Sequence, residues 1–288
     1  MSERVLRVGM LGCGTVGAAV VRLLDRHRDD IERRAGCRLQ VHRVAVRDPA
    51  KPRDVGPPPL FVGDPMAVVD DPEVDIVCEL IGGLEPAGSL VLAAFERDKP
   101  VVTANKELLA TRGRELFDAS DAKGLDLYFE AAVGGGIPLI RPLKESLTGE
   151  RLRRVMGIVN GTTNFILSKM SEEGRGFADV LADAKRLGYA ESDPSADVDG
   201  HDAAAKCAIL ASIAFNARVV ASDVYREGIA NVTTEDIEYA RRLGYVVKLL
   251  AIAEMGEDER IAARVHAAMI PASHPLASVR DAYNAVFL

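Results

Sequence analysis

Near its amino terminus the chain carries the stretch VLRVGMLGCGTVG, residues 5–17, in which an apolar run leads directly into three closely spaced glycines. The spacing of Gly12, Gly14 and Gly17 matches G-x-G-x-x-G, the turn between strand and helix in dinucleotide-binding folds. Gly12 permits the tight turn, Gly14 lets the backbone approach a pyrophosphate, and Gly17 lets the helix pack closely on the strand. A tight turn that binds no ligand can have the same glycines. The elements on either side of the turn must therefore distinguish a dinucleotide-binding turn from a turn without a ligand.

Outward from this turn, short apolar runs alternate with stretches of helical period as far as residue 129, which predicts parallel strands joined by crossover helices. The predicted strands are Val5–Leu11, Leu39–Val46, Val74–Leu80, Pro100–Thr103 and Leu125–Phe129. The predicted helices are Gly17–Arg34, Pro86–Arg97 and Lys106–Lys123. The Pro-rich stretch from Lys51 is predicted to be a loop. The pattern therefore predicts an α/β fold with a Rossmann-type doubly wound parallel sheet.

The pattern changes after Gly134-Gly135-Gly136 to longer helices mixed with strand-like runs such as Arg154–Val159 and Ile261–Met269. We therefore expect two domains, a dinucleotide-binding domain of residues 1–134 and a second, α+β domain of residues 135–288.

The bulk composition excludes several classes of protein. Of the 288 residues, 48% are hydrophobic and 27% charged, and no apolar run approaches the roughly 20 residues of a membrane span. The net charge of -7, with no basic cluster, argues against a nucleic-acid partner. The four cysteines contain no C-x-x-C pair, which indicates neither a disulfide framework nor a zinc site and favours a cytoplasmic protein with reduced thiols.

The end of the second predicted strand bears on the choice between NAD and NADP. An acidic residue there binds a ribose 2′-hydroxyl, whereas an arginine accommodates a 2′-phosphate. This chain has Arg47, then Asp48, with Lys51 nearby. Two cations can bind a phosphate through charge-assisted hydrogen bonds, although a solvated charged loop has the same composition. The pattern favours NADP and leaves NAD open.

Two more segments follow predicted strands at their carboxyl ends, where ligands bind in open α/β sheets: Gly82-Gly83, and Thr103-Ala104-Asn105-Lys106. Lys106 is predicted to lie in the first turn of a helix, where the dipole disfavours a cation. A ligand contact would explain a lysine at that position, and an ordinary surface lysine is the alternative.

The second domain has a run of carboxylates from Leu187 to Asp202 that enters an alanine-rich helix carrying Lys206. Asp202 and Lys206 are four residues apart, and such helix pairs commonly contribute only a few tenths of a kcal/mol. The neighbouring residues of this pair are small or apolar, which predicts partial burial. Because a buried charged pair needs further partners, a bound substrate could supply them.

Four segments, taken together in their order and spacing, resemble homoserine dehydrogenase. They are Gly12–Gly17, the VVTANK stretch at 101–106, the NGTTN stretch at 160–164, and the GYAE stretch at 188–191 continuing to Asp202 and Lys206. The resemblance implies a reversible hydride transfer between a nicotinamide cofactor and aspartate 4-semialdehyde, giving homoserine in threonine, methionine and isoleucine biosynthesis. It also implies a homodimer formed through the second domain.

The resemblance also implies roles for individual residues. Lys206 would donate a proton to the carbonyl oxygen during reduction and remove it during oxidation. Asp202 would orient Lys206 and contact the substrate, and Lys106 is a second candidate for proton transfer. Taken from the glycine motif, from the charges after the second predicted strand and from the resemblance, the expected cofactor contacts are Gly12, Gly14, Thr15, Val16, Gly17, Arg47, Lys51, Thr103, Lys106 and Gly188.

The substrate carries both an ammonium and a carboxylate group. The resemblance implies that Glu191, together with Asp197, binds the ammonium. Thr163 opens a predicted helix after Asn160-Gly161, and a helix N-terminus with hydroxyl groups suits an anion. We therefore assign the substrate carboxylate to Thr163, with an ordinary helix cap as the alternative.

The stretch EAAVGGGIP, residues 130–138, resembles the family's monovalent-cation site. The resemblance implies that sodium or potassium is bound by the Glu130 carboxylate and by the carbonyl groups of Val133, Gly135 and Ile137. Such hard cations take oxygen ligands, and a glycine-rich turn can direct several carbonyls to one point. The residues alone indicate an interdomain hinge.

Two other functions compete with this interpretation. A thiol-acylating semialdehyde dehydrogenase needs a nucleophilic cysteine near the cofactor, and Cys13, in the glycine turn, and Cys78, in a predicted strand, fit poorly. Proteins of the resembled family continue beyond a segment like Asn284–Leu288, so we expect a chain truncated at its C-terminus and without a regulatory domain. An NADPH-binding protein without turnover is therefore the second alternative.

Overall fold

The structure, a computed structural model, describes residues 4–288 and consists of two compact units. The first unit runs to Ala132 and the second from Val133 to Leu288, whereas the predicted boundary lies after residue 134. Residues 1–3 of the predicted first domain lie outside the described residues.

The first unit contains a six-stranded sheet in the order β3-β2-β1-β4-β5-β6. Every neighbouring pair is parallel. This order and orientation are those of the Rossmann fold, which confirms the predicted fold class. The strands are β1 Val5–Leu11, β2 Arg38–Ala45, β3 Leu60–Val62, β4 Ile76–Glu79, β5 Val101–Thr103 and β6 Leu127–Tyr128.

Five helices accompany this sheet: α1 Thr15–Arg26, α2 Arg28–Ala35, α3 Met66–Val69, α4 Ala87–Glu96 and α5 Lys106–Lys123. The single helix predicted over Gly17–Arg34 is wrong, because the backbone leaves the helical region at His27 and separates α1 from α2. Apolar periodicity continues across this break, so the pattern did not reveal it. The predicted bounds of α5 are confirmed, with Gly124 as its left-handed C-cap.

The core of the first unit packs α1 against the central strands. Val8 and Met10 of β1 contact Val21 of α1, Val44 of β2 and Cys78 of β4, all less than a tenth exposed. Burial on both faces explains why these strands are nearly continuous apolar runs. The central position of β1 holds the turn that follows it between two flanking strands.

The second unit is built on a mixed five-stranded sheet in the order β11-β7-β9-β10-β8. Its strands are β7 Arg154–Ile158, β8 Tyr225–Arg226, β9 Tyr245–Met255, β10 Ile261–Pro271 and β11 Ala285–Phe287. The predicted strands at Arg154–Val159 and Ile261–Met269 are confirmed as β7 and β10. The long antiparallel pair of β9 and β10 was not predicted as a hairpin, because β9 is an almost uninterrupted apolar run without strand alternation.

The helices of this unit are α6 Gly161–Glu173, α7 Phe177–Arg186, α8 Ser195–Val198, α9 His201–Ala214 and α10 Thr234–Arg242. Three of them, α6, α9 and α10, pack against β9. Helix α6 follows β7 after only two residues, so the start of α6 lies at the carboxyl end of that strand. None of the helices formed by residues 4–288 has the length and apolar composition needed to cross a bilayer.

Candidate active site

The glycine turn after β1 has the geometry of a dinucleotide-binding loop. Gly12 has φ +101°, and a Cβ there would lie 2.7 Å from the carbonyl oxygen of Leu80. A Cβ on Gly17 would lie 2.6 Å from the carbonyl oxygen of Gly12. In contrast, a Cβ on Gly14 would meet no atom of residues 4–288 within 4 Å. Two glycines therefore permit close packing, and Gly14 faces open space.

Helix α1 begins in this turn with Gly14 as its N-cap, and among the described residues no side chain caps it. Its first-turn N–H groups thus keep their capacity to bind an anion, helped by the helix dipole. The turn also lies between β1 and β4, where the strand order reverses and ligands bind in doubly wound sheets. The residues here fit a bound pyrophosphate better than a simple turn.

The loop after β2 presents two exposed cations, Arg47 and Lys51. The Asp48 carboxylate accepts a hydrogen bond from the backbone N–H of Ala50 at 3.0 Å. The Arg53 guanidinium donates to the carbonyl oxygens of Lys51 and Asp48 at 2.8 and 3.0 Å. Asp48 therefore stabilises the turn, and Arg53 stabilises the loop. Arg47 and Lys51 are exposed to solvent.

Glu79, at the end of β4, is fully buried and was missed by sequence reasoning. Its Oε1 accepts the backbone N–H groups of Ile81 and Gly82 at 2.8 and 3.1 Å. Its Oε2 accepts the Thr103 hydroxyl at 2.6 Å. The carboxylate thereby links the loops after β4 and β5. An acid ending the apolar strand IVCE was the signal for this role.

Asn105 extends this network to the start of α5. Its Nδ2 donates to the carbonyl oxygen of Gly83 at 2.7 Å, and its Oδ1 caps α5 by accepting the N–H of Leu108 at 3.1 Å. Lys106 is the first residue of α5 and is half-buried. Two loops at the carboxyl ends of neighbouring strands are thus held together beside Lys106.

In the second unit, Asp202 and Lys206 form the expected ion pair on α9. Lys206 Nζ lies 2.8 Å from Asp202 Oδ2, and the side chains are only 15% and 5% exposed, respectively. Lys206 Nζ also donates to the carbonyl oxygen of Val159, at the end of β7, at 2.8 Å. The predicted burial of the pair is confirmed. Among residues 4–288 these are the two partners of Lys206 Nζ, so the third N–H of the ammonium group can donate to a ligand oxygen.

Asp197, Asp202 and the start of α6 meet at Asn160. Its Nδ2 donates to Asp197 Oδ1 at 2.7 Å and to Asp202 Oδ2 at 2.9 Å. Asp197, predicted to bind the ammonium, and Asp202, predicted to contact the substrate, are thus brought to one point. The sequence placed Asn160 in a segment of the family resemblance and before a predicted helix, but did not predict these contacts with the two acids.

Thr163 lies in the first turn of α6 and is 1% exposed. Its hydroxyl lies 3.2 Å from the carbonyl oxygen of Asn160 and 3.0 Å from Asn160 Oδ1, so it is engaged in the helix start. The Thr162 hydroxyl donates to the carbonyl oxygen of Tyr189 at 2.7 Å. That bond brings the segment from Gly188 to Glu191 to the N-terminus of α6. Gly188, with φ +81°, and Glu191 are both exposed.

The predicted cation-binding residues lie at the end of the first unit and the start of the second. Glu130 begins a short 3-10 turn in the first unit. In the second, Gly134 and Gly136 adopt φ of +63° and +86°, and the N–H of Ile137 donates to the carbonyl oxygen of Gly134 at 2.8 Å. Within residues 4–288 no three His, Cys, Asp or Glu side chains are grouped to bind a metal ion, and three of the four predicted ligands here are backbone carbonyls.

Three of the four cysteines are poorly suited to nucleophilic chemistry. Burial raises the pKa of the Cys13 thiol, against the opposing effect of Arg53 and Arg22. Burial also raises the pKa of Cys78 and of Cys207 to about 11. Because the thiolate is the nucleophile, these raised pKa values argue against Cys13, Cys78 and Cys207 as the nucleophile of a thiol-acylating dehydrogenase.

The comparisons with known proteins agree with one another. The family profile of homoserine dehydrogenase matches residues 138–288, and that of the homoserine dehydrogenase NAD binding domain matches residues 12–130. The homoserine dehydrogenase of Corynebacterium glutamicum is 52% identical over 285 residues, which cover 98% of this chain and 64% of that relative. The chain therefore spans about two thirds of the length of this relative.

Solved structures are also similar to this chain. The crystal structure of a homoserine dehydrogenase from Thiobacillus denitrificans gives a TM-score of 0.95 at 49% identity, over 99% of this chain and 66% of that chain. A hyperthermophilic archaeal homoserine dehydrogenase in complex with NADPH gives a TM-score of 0.81 at 27% identity, over 98% of this chain and 87% of that chain.

Proposed function

The chain belongs to the homoserine dehydrogenase family, and we propose that it catalyses reversible NAD(P)-dependent hydride transfer between L-homoserine and L-aspartate 4-semialdehyde. The observation that carries this proposal is the buried pair of Asp202 and Lys206 at the end of β7. A pair with one ammonium direction open to a ligand is suited to proton exchange with a substrate oxygen. The reaction would serve threonine, methionine and isoleucine biosynthesis in the cytoplasm.

Lys206 performs the acid and base steps. When bound, the nicotinamide cofactor supplies the hydride to the aldehyde carbon or accepts it from the alcohol carbon. During reduction Lys206 gives a proton to the carbonyl oxygen, and during oxidation it takes the hydroxyl proton. Asp202 and the carbonyl oxygen of Val159 hold Nζ in place, so the lysine is oriented before substrate arrives. Lys106 is a second candidate for this proton.

Substrate binding uses the charges around this pair. Asp197, Asp202 and Glu191 bind the substrate ammonium, and the contact of Asp197 and Asp202 with one amide supports a shared site for a cation. The carboxylate binds at the N-terminus of α6, where the dipole favours an anion. The Thr163 hydroxyl is engaged with Asn160. Thr163 is therefore assigned to the carboxylate site only because it lies in the first turn of α6.

The first unit binds the cofactor. Gly14, with open space before it, and the uncapped start of α1 hold the pyrophosphate together with Thr15 and Val16. NADP is the preferred form because Arg47 and Lys51 are exposed cations, and a related archaeal enzyme has been solved in complex with NADPH. The remaining contacts of this unit are assigned to Gly12, Gly17, Thr103 and Lys106, and one further contact, outside this unit, is assigned to Gly188.

A monovalent cation, sodium or potassium, and a second copy of the chain complete the proposal. The Glu130 carboxylate and the carbonyls of Val133, Gly135 and Ile137 would bind the ion. The left-handed glycines at 134 and 136 support this assignment, because they turn successive carbonyls of a short segment in different directions. The second unit would form a homodimer.

The test is homoserine-dependent reduction of NADP and of NAD by the purified chain and by its Lys206→Ala and Asp202→Ala variants. We expect kcat to fall by about two to four orders of magnitude in Lys206→Ala, the usual contribution of a general acid or base. Lys123→Ala, which removes an exposed lysine paired with Asp98, is the matched control and should retain full activity. Near-normal kcat in Lys206→Ala would remove this lysine as the proton carrier.

A further inference from the structure

Asn160 connects three parts of the second unit through both ends of its side-chain amide. Oδ1 accepts the backbone N–H of Thr163 at 2.9 Å and lies 3.0 Å from the Thr163 hydroxyl. Because two donors face this atom, it must be the carbonyl oxygen of the amide, which cannot donate. The NH₂ group is therefore directed to the opposite side, and the orientation of the amide is fixed by the helix start.

The two protons of this NH₂ group each meet a carboxylate. Asp197 Oδ1 lies 2.7 Å and Asp202 Oδ2 2.9 Å from Nδ2, and the two acids come from different helices, α8 and α9. Two neighbouring carboxylates repel each other unless donors or a cation lie between them. The amide of Asn160, itself 5% exposed, supplies such donors without adding charge.

Val159, which precedes Asn160 after the end of β7, contacts Lys206. Asp202 Oδ2 accepts both the Asn160 amide and the Lys206 ammonium, and the second acceptor of Lys206 is the carbonyl oxygen of Val159. The dipeptide Val159-Asn160 thus offers a carbonyl to the lysine and an amide to the lysine's partner. Lys206 and Asp202 are therefore each held by one of two consecutive residues, Lys206 by the backbone carbonyl of Val159 and Asp202 by the side-chain amide of Asn160.

From this geometry we propose that Asn160 is a positioning residue, which holds Asp202 against Lys206 and keeps Asp197 and Asp202 together to receive the substrate ammonium. This inference rests on the proposed function of the site. Helix capping does not explain an asparagine here, because Ser, Thr or Asp would cap α6 comparably well. Among these residues only asparagine caps the helix with its oxygen and donates to two acids with its nitrogen.

Two variants separate positioning from capping. Asn160→Ser keeps a cap but removes both donors, and Asn160→Asp keeps the cap and shape but places a third carboxylate beside Asp197 and Asp202. We expect both to lose about tenfold or more in kcat/KM for homoserine per mole of folded protein, since charge-assisted hydrogen bonds of this kind are lost. Asn160→Asp should also melt at a lower temperature than Asn160→Ser, because it places a third buried carboxylate beside Asp197 and Asp202. The KM for homoserine should rise in Asn160→Ser, because Asp197 and Asp202 are no longer held together by one amide. The matched control is Asn216→Asp, an equal charge change at an exposed asparagine of the same unit.

A second readout does not depend on turnover. The rate of reductive methylation of Lys206, followed by mass spectrometry across a pH series, should shift to lower pH in Asn160→Ser, because a lysine that is no longer held against Asp202 loses the negative charge that favours its ammonium form. If wild-type protein lacked homoserine oxidation but this shift occurred, the proposed function would fail and the positioning role would stand. Wild-type kcat/KM in both variants together with an unshifted Lys206 profile would overturn the inference. The inference would also be overturned if the loss of activity in each variant equalled its loss of folded protein, because Asn160 would then act only as a helix cap.

Discussion

Lys248, on β9, provides a test of how burial controls a charge in the second unit. Its side chain is 2% exposed. Its Nζ donates to Asn164 Oδ1 at 2.9 Å, Ser168 Oγ at 3.2 Å and the carbonyl oxygen of Val279 at 2.5 Å. None of these three partners carries a negative charge. Burial therefore dominates and lowers the pKa of Lys248 from 10.5 to about 8, with a smaller opposing effect of Glu172.

The lowered pKa makes stability depend on pH in a definite direction. Below about pH 8 the lysine is protonated in both folded and unfolded chains, and the folded state bears the cost of the buried charge. As pH rises above the folded pKa, the folded chain releases its proton while the unfolded chain keeps it, so the free energy of unfolding rises. From the lowered pKa, the gain attributable to Lys248 is about 1.4 kcal/mol between about pH 7 and pH 9.

The assay is urea unfolding followed by far-UV circular dichroism at both pH values, for wild type and Lys248→Met. The variant leaves three oxygens without their donor and should be less stable, but that loss is the same at every pH. We expect wild type to gain about 1.4 kcal/mol relative to Lys248→Met over this interval. Lys123→Met, at an exposed lysine, controls for other alkaline titrations. Parallel stability curves for wild type and Lys248→Met would refute the reasoning, since the three acceptors would then outweigh burial.

Two further predictions concern the first unit. Gly12→Ala should lower stability by at least about 1 kcal/mol, because of its positive φ and the carbonyl 2.7 Å from the new Cβ, whereas Gly14→Ala should melt normally but bind NADPH more weakly. Thermal unfolding and NADPH fluorescence titration measure both effects, and equal NADPH affinity of Gly14→Ala and wild type would contradict the assignment of the pyrophosphate site. Glu79→Gln exchanges an acceptor for a donor opposite Thr103 and should weaken NADPH binding by about tenfold, with little change in melting temperature. An unchanged dissociation constant would show that the loops after β4 and β5 do not depend on this carboxylate.

The fold was predictable where the local pattern was strong. The bounds of β1 and of α5 agree with the sequence prediction, because an apolar run ending at glycine and a long periodic stretch with Gly124 at its end leave few alternatives. The break at His27 was not predictable, since a few backbone angles change there without a change in the pattern. Strand β3, only Leu60–Val62, was also missed because three residues are too few to show a period.

In the site, too, local contacts were predictable from the sequence and contacts between distant residues were not. The spacing of Asp202 and Lys206 and the small apolar residues around them predicted a partly buried pair, which the structure confirms. Asn160 lies 37 and 42 residues from the acids it contacts, and no local pattern connects residues so far apart. The role of Glu79 likewise depends on Thr103, 24 residues away on the neighbouring strand.

By itself, the sequence determined the Rossmann-type class of the first unit, the glycine turn, the family resemblance and the helix that carries Asp202 and Lys206. These features depend on residues within one or two turns or strands of each other, where periodicity and spacing are informative. Only the tertiary structure decided which distant groups complete the site: the carbonyl of Val159 against Lys206, and the amide of Asn160 between two acids. The physical reason is that hydrogen bonds and burial act over a few ångströms in space, whatever the separation along the chain.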